Sequence, residues 1–296
     1  MKENASLRFV IFGNEYQPKK SQAIHKIISS LRQRNARIFV DRPFYKFITE
    51  GQQMSLDVDG VFDGEDFEAD FAVSMGGDGT LLKTAARVGE KGIPVVGINI
   101  GRLGFLADVT PSDIEKAVSA LYAGNYSVHD HSVIKVETTE EGELPIYPYA
   151  LNDVALLERD HASMISIRAN VNGEYVTTYQ ADGLIVTTPT GSTAYSLSNG
   201  GPIIAPGTDT LCITPVAPHS LNMRPIVLTD SSVITLKVES RSHSFLVAVD
   251  GRSCKLHDGT EVRISKAAHK AKIVRFEEHH YFSTLREKMM WGMDQR

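Results

Sequence analysis

The sequence predicts an α/β N-terminal domain with a parallel sheet, then a mostly antiparallel β-rich domain and a closing helix. Three observations predict this. Strand-like and helix-like runs alternate over residues 7–100, the pattern of a parallel sheet covered on both faces. Beyond about residue 125, short runs rich in Val, Ile, Thr and Tyr recur between Gly, Asn and Asp, as antiparallel strands do. The tail then carries the single tryptophan on a helix-like run.

The elements follow in order. Leu7 to Phe12 is a short apolar run and reads as a buried strand. Ser21 opens a helix, with Ile24, Ile27, Ile28 and Leu31 on one face. Arg37 to Val40, Asp70 to Met75 and Pro94 to Ile100 read as strands. Thr80 to Glu90 reads as a helix, with Gly92 and Pro94 as stop signals. Thr110 to Ala123 is a helix leading into the second domain. There the strands are Ser132 to Glu137, Met164 to Val171, Glu174 to Tyr179, Leu184 to Thr188, Val233 to Val238 and Phe245 to Val249. Asn172-Gly173 between two of them is a hairpin signal. Thr284 and Glu287 have capping-box spacing before Met289, Met290 and Trp291, and a helix carrying that tryptophan must pack on something. Asp57 to Asp70 is acidic with no basic residue and lacks calcium-loop spacing, so it reads as a solvated loop.

Composition excludes several classes. The 296 residues are 42% hydrophobic and 23% charged, which excludes a disordered or fibrous chain and suffices for one large domain or two. A net charge of −5 argues against a protein whose main work is holding nucleic acid, while leaving room for a local basic pocket. Two cysteines cannot build a disulfide framework and fit a reducing compartment. The run Phe9 to Phe12 is too short for a signal sequence, and no stretch nears the ~20 apolar residues of a membrane span. The expectation is a cytoplasmic protein that engages neither membrane nor nucleic acid.

The richest motif is Gly76-Gly77-Asp78-Gly79-Thr80, between a strand and a helix. Glycines there allow positive φ and bring backbone N–H groups close to a ligand. The helix N-terminus suits phosphate. A carboxylate in a pure phosphate cradle is electrostatically odd. Asp78 makes sense if it touches a hydroxyl, or a magnesium ion, beside the phosphates. The structural alternative is a tight turn with an N-cap aspartate. No Walker lysine follows; Lys83 either leans toward phosphates or is a solvated charge. Gly97 to Gly104 is a strand end entering a glycine-rich loop, with Asn99 where a dinucleotide fingerprint needs glycine. Open α/β sheets bind ligands beyond such strand ends.

With three further blocks, these residues resemble the NAD kinase family. The blocks are Gly101-Arg102-Leu103-Gly104-Phe105-Leu106, Asn152-Asp153, and Ala181 to Ser196 with Asp182-Gly183-Leu184 and Thr188-Pro189-Thr190-Gly191-Ser192-Thr193-Ala194-Tyr195. The tail, Phe282 to Trp291, looks like the family's closing helix. The resemblance implies transfer of a terminal phosphate from ATP, or in some members polyphosphate, to the 2′-hydroxyl of the adenosine ribose of NAD. It implies a divalent metal, expected to be magnesium with ATP and held by no protein-only ligands, and a homodimer or homotetramer. It also implies that the last helix returns to the first domain. Joined to the composition shift, the expected domains are 1–110, 111–276 and a returning segment 277–296.

By position, the resemblance makes Asp78 the catalytic aspartate at the acceptor hydroxyl. Gly76, Gly77, Gly79 and Thr80 become the phosphate-facing turn, with Lys83 beside it and Gly79 also touching NAD. Phe105 lies near the adenine, Asn152 and Asp153 at the ribose, and Asp182 on the nicotinamide side. Thr190, Thr193, Ala194, Tyr195 and Ser196 line the dinucleotide pocket. The family's usual Glu is Asp153 here, one methylene shorter, a gap that a bridging water could span.

Other candidates are weaker. His129-Asp130-His131 and His279-His280 lack a His or Cys at zinc spacing. His219 follows a strand in a loop. Asp250-Gly251-Arg252 is either a hairpin turn or part of the pocket. The rival readings are a lipid kinase sharing the glycine turn and a non-catalytic NAD(P) sensor.

Overall fold

The computed structural model describes residues 6–14, 21–51, 53–101, 104–140, 142, 144–159, 164–277 and 281–292. It divides into two units, Met1–Asp130 with Lys272–Arg296, and His131–Ala271.

In the first unit the chain runs β1 (Arg8–Gly13), α1 (Ser21–Arg32), β2 (Arg37–Asp41), α2 (Arg42–Lys46), β3 (Gly60–Phe62), β4 (Phe71–Gly76), α3 (Asp78–Val88), β5 (Val95–Asn99) and α4 (Ile114–Ala123). The strands lie in the order β5-β4-β1-β2-β3, all parallel. Every residue of β4 and β5 is buried, as expected of parallel strands covered on both faces. Ile24, Ile27, Ile28 and Leu31 bury the predicted face of α1 against Phe9, Ile11, Val73 and Met75. Ile114, Ala117, Val118 and Leu121 of α4 join this cluster. That packing keeps α4 in the first unit, so the division falls after Asp130 rather than near residue 110.

Two local expectations change. The acidic stretch is not a plain solvated loop. It contains β3, and Asp59 pairs with Arg32 (2.8 Å), Asp63 with Arg42, while Asp70 accepts the Arg8 N–H (2.7 Å). Residues 42–46, unassigned from sequence, form α2, with a proline in its first turn.

The second unit contains β6 (Ser127–Thr138), β7 (Tyr149–Ala150), β8 (Asp153–Leu157), β9 (Ile165–Val171), β10 (Glu174–Ala181), β11 (Gly183–Thr187), α5 (Tyr195–Ser198), β12 (Thr210–Val216), β13 (Ile226–Thr229), β14 (Ile234–Glu239), β15 (Ser244–Val249), β16 (Arg252–His257) and β17 (Glu261–Arg275). The first residues of β6 and the last of β17 belong to the first unit. Strands β10-β9-β14-β17 pair antiparallel. A six-stranded antiparallel sheet has the order β13-β12-β11-β8-β15-β16. Their inward faces share one core, with Leu156, Ile167, Leu184, Ile213, Leu236 and Val247. Asn172 and Gly173 have φ of 53° and 84°, the two left-handed positions of the predicted hairpin turn.

Back in the first unit, the end of β17 pairs parallel with β5 (Ile273 with Val95). The chain then forms α6 (Tyr281–Met289), anchored by Leu285, which is 1% exposed. Thr284 lies inside α6, so its spacing to Glu287 is not a capping box. Trp291 stands beyond the helix and is 55% exposed, so it does not supply the expected packing. His279-His280 lies outside the described residues, as do Arg102 and Leu103. Among the described residues no helix is long and apolar enough to cross a membrane.

Candidate active site

In the first unit the site begins where β4 meets α3. Gly77 takes the N-cap position with φ −95° and ψ −168°, and Asp78 is the first helical residue. None of Gly76, Gly77 and Gly79 has positive φ, so left-handed backbone is not why they are glycines. A Cβ on Gly76 would stand 2.0 Å from Thr80 Oγ1, whereas one on Gly77 or Gly79 would meet nothing within 4 Å. The turn is therefore tight on the Thr80 side and open elsewhere. In the first turn of α3, Thr80 N–H donates to Gly77 O (3.0 Å), while the N–H groups of Asp78 and Gly79 come too early for an intrahelical acceptor.

Asp78 does not cap its own helix. Its carboxylate reaches the segment after Gly104. Phe105 N–H donates to Oδ2 (2.8 Å), and Leu106 and Ala107 N–H donate to Oδ1 (3.0 and 3.1 Å). A Cβ on Gly104 would sit 2.1 Å from Asp78 Oδ1, so this glycine is needed for close approach. Arg275 grips the other side of the segment. It donates to Phe105 O (2.9 Å) and Leu106 O (3.4 Å), and pairs with buried Asp108. The segment is thus clamped between a carboxylate on its N–H groups and a guanidinium on its carbonyls. Lys288 of α6 brings Nζ to 3.5 Å from Asp78 Oδ2 and 4.5 Å from the centre of the Phe105 ring. Lys83 is exposed on α3. A carboxylate offers about four lone-pair positions. Oδ1 accepts two of the backbone N–H bonds, and Oδ2 accepts one from Phe105 N–H and a longer one from Lys288 Nζ (3.5 Å), the contact that is easiest for a ligand hydroxyl to displace.

The second unit builds a different cluster around Asn152 and Asp153. Asp250 sits in the β15–β16 turn with φ 47°, followed by Gly251 at 78°. It is a hairpin turn, and its carboxylate also accepts the N–H groups of Leu151 and Asn152 (both 2.8 Å) and Asp153 (3.1 Å). From the other side, Thr188 Oγ1 donates to Leu151 O (2.5 Å) and Thr187 Oγ1 to Asn152 O (3.0 Å). Asn152 Oδ1 is buried and has no partner among the described residues, so it is free to receive a ligand donor. Burial, with Asp250 close by, pushes the Asp153 carboxyl up to about 7. Burial also pushes Asp250 up, against the pull of its three N–H donors.

The remaining predicted residues divide. Asp182 and Tyr195 are exposed, and Thr193 and Ala194 half-buried. Thr190 is buried, and its hydroxyl is 2.8 Å from His131 Nδ1. Ser196 is buried, with its hydroxyl 2.8 Å from that of Thr214. Ser196 therefore supports α5 rather than presenting a free hydroxyl. His219 is exposed and engages Gln180 O through its backbone N–H (2.9 Å).

The placement of Asn152 depends on Gly191. A Cβ there would stand 2.3 Å from Asn152 O and 2.5 Å from its carbonyl carbon. Backbone cannot swing away as a flexible side chain can. Gly191→Ala is therefore expected to lose about 1–3 kcal/mol by overpacking. Thermal melts read this directly, and a melt coincident with the wild type would show that the Asn152 turn yields freely.

The comparisons bear on both clusters. The family model for the ATP-NAD kinase N-terminal domain matches residues 9–126, and that for the ATP-NAD kinase C-terminal domain matches 151–276. An NAD kinase of Bacteroides fragilis is 52% identical over 290 residues, covering 98% of this chain and 100% of that protein. An NAD kinase of Porphyromonas gingivalis is 40% identical, covering 96% and 98%. Among solved structures, yeast NADH kinase complexed with NADH aligns with a TM-score of 0.88 at 25% identity, covering 99% of this chain and 90% of that one. An NAD kinase from Archaeoglobus fulgidus in complex with ATP aligns with a TM-score of 0.73 at 27% identity, covering 96% and 99%. Asp78 and the segment it holds lie within the first matched region, and Asn152, Asp153 and Asp250 within the second, so by sequence, fold and the position of its candidate residues this chain belongs to the NAD kinase family.

Proposed function

We propose that the protein transfers the terminal phosphate of ATP to the 2′-hydroxyl of the adenosine ribose of NAD, giving NADP. The observation that carries this reading is Asp78. It is a carboxylate at a helix N-terminus suited to phosphate, fixed by three backbone N–H donors, with the long Lys288 Nζ contact (3.5 Å) on the remaining position of Oδ2. A ribose hydroxyl that displaces this long contact can pass its proton to Oδ2. A carboxyl with a reference pKa of ~3.9 cannot strip a ribose hydroxyl beforehand. It need not, because phosphoryl transfer has a loose transition state and the proton can leave late. The hydroxyl oxygen bonds to the terminal phosphorus as the bridging P–O bond breaks, and its proton passes to Asp78.

The other assignments follow the family resemblance and the local geometry. Gly76, Gly77, Gly79 and Thr80 face the phosphates. Phe105 lies at the adenine, Asn152 and Asp153 at the ribose, Asp182 toward the nicotinamide, and Thr190, Thr193, Ala194 and Tyr195 along the dinucleotide. The buried, unpartnered Asn152 Oδ1 supports its role, because such an atom costs free energy until a donor arrives.

Among the described residues no three His, Cys, Asp or Glu side chains gather as a metal cage. Magnesium is usually held by one or two carboxylates together with phosphate oxygens, and the donor set here fits such an ion arriving on ATP. When bound, it neutralises phosphate charge. We further propose a cytoplasmic homo-oligomer of two or four chains. Purified protein with magnesium and ATP should convert NAD to NADP in a coupled dehydrogenase assay. No NADP above a boiled-enzyme blank, with ATP and with polyphosphate in turn, would remove the reading.

A further inference from the structure

We propose that Lys288 of the C-terminal helix is a catalytic cation that meets the transferred phosphoryl group. The inference rests on the function proposed above and adds a residue that the glycine-turn motif does not contain. Three observations carry it. The first is place. Lys288 Nζ stands 3.5 Å from Asp78 Oδ2, on the side not taken by the Phe105 N–H, and 4.5 Å from the centre of the Phe105 ring. An acceptor hydroxyl bound at that oxygen, and the phosphorus it attacks, both come within reach of the ammonium.

The second is charge. Phosphate approaching Asp78 is repelled by the carboxylate, and some cation must offset this. Among the described residues, the other basic groups of α3 and of the 105–108 segment do not. Arg87 of α3 is held by Asp41 (3.2 Å) and Gly64 O, Arg275 by Asp108 and the carbonyls of Phe105 and Leu106, and Lys83, exposed as Lys288 is, makes no ion pair with Asp78. An ammonium has three donors, and one contact with Asp78 leaves the others for phosphate oxygens. The Lys288 and Asp78 side chains keep 33% and 27% of their surface accessible, so a ligand can meet both.

The third is anchoring. Leu285 is buried, and Tyr281 lies with its ring centre 6.4 Å from that of Phe105. Together these contacts set α6, and with it Lys288, against the segment that fixes Asp78.

In the step itself, the 2′-oxygen forms the new O–P bond while the bond from the terminal phosphorus to the bridging oxygen breaks. The electron pair leaves on ADP, and the hydroxyl proton goes to Asp78 and then to water. Lys288 stays protonated throughout and holds the equatorial phosphoryl oxygens, which carry the charge in a loose transition state.

The test compares wild type, Lys288→Met, Lys288→Gln and Lys288→Arg as full chains, below their melting temperatures, in steady-state NADP formation. The Met and Gln variants should lose about 10²-fold in kcat, as when one donor to a developing anion is removed. KM for NAD should move less than about threefold, since the lost contact strengthens in the transition state. Arg should recover most of the loss, because it keeps the charge. A Met or Gln variant with more than about a third of wild-type kcat overturns the proposal. So does a loss shared equally by Met and Arg, or a rise in KM with kcat intact, either of which marks Lys288 as a tether for α6. If the wild-type chain makes NADP and these variants do too, only this inference falls. If the wild type makes none, the functional reading falls and takes this inference with it.

Discussion

Asp78→Asn should lower turnover by about 10²–10⁴ while NAD affinity changes far less. The amide keeps the size of the side chain and one acceptor oxygen but cannot take a proton. Read from sequence alone, the same substitution would leave stability nearly untouched, because Asn and Asp serve almost equally at an N-cap. The structure changes that expectation. Asp78 is the first helical residue, and its two oxygens accept three backbone N–H groups from Phe105, Leu106 and Ala107. An asparagine oxygen at the Oδ1 position keeps two of them. Its NH₂ then faces the Phe105 N–H and the Lys288 ammonium, donor against donor. One charge-assisted bond is lost and a donor is left without an acceptor, so about 1–3 kcal/mol of stability should go as well. The kinetic and structural effects separate when rates are measured well below both melting temperatures, where both proteins are folded. A variant keeping more than about a tenth of wild-type turnover would leave Asp78 as a loop anchor and no more, since a general base is worth at least ~10²-fold.

What the sequence made legible follows from physical range. The strands β1, β4 and β5 and the helices α1 and α3 announce themselves by local periodicity and stop signals, and in the structure they lie within a few residues of those expectations. The hairpin at Asn172-Gly173 is a two-residue conformational requirement and was equally readable. The site is legible where its chemistry is local, as in the Gly76–Thr80 turn. It is illegible where the partner is distant in the chain. Nothing near Arg275 or Lys288 shows that one grips the carbonyls after Gly104 and the other reaches Asp78, 210 residues away. Asp250 is similar. Its Asp-Gly step signals a turn, but its bonds to the N–H groups of Leu151, Asn152 and Asp153 span a separation of nearly 100 residues. The glycines of the Gly76–Thr80 turn take no positive φ, so that part of the sequence expectation fails. Gly76 and Gly104 are there for side chains that would otherwise collide, Thr80 and Asp78, and a steric reason of that kind appears only once the chain is folded.

Asp153→Asn should make the protein's stability less sensitive to pH, with the gain appearing on the alkaline side. Asp153 is buried beside Asp250, and burial lifts its carboxyl to about 7 from an unfolded value of ~3.9. The folded state therefore holds the proton over a pH range in which the unfolded chain has released it. By linkage, stability is fully present below about pH 4 and is lost as pH rises toward and through 7. Above that, folding must bury a carboxylate next to a second one. The amide removes both the titration and the repulsion, and relieves Asp250, which keeps its three N–H donors and Arg252 at 4.0 Å. Between pH 5 and pH 8 the difference in unfolding free energy between variant and wild type should shift toward the variant by about 2–4 kcal/mol. Urea titrations of both proteins at the two pH values measure that difference, and histidines and other groups common to both cancel. Curves that run parallel would mean that Asp153 is ionised in the folded protein at both pH values, and that the Asn152 turn carries a full buried charge.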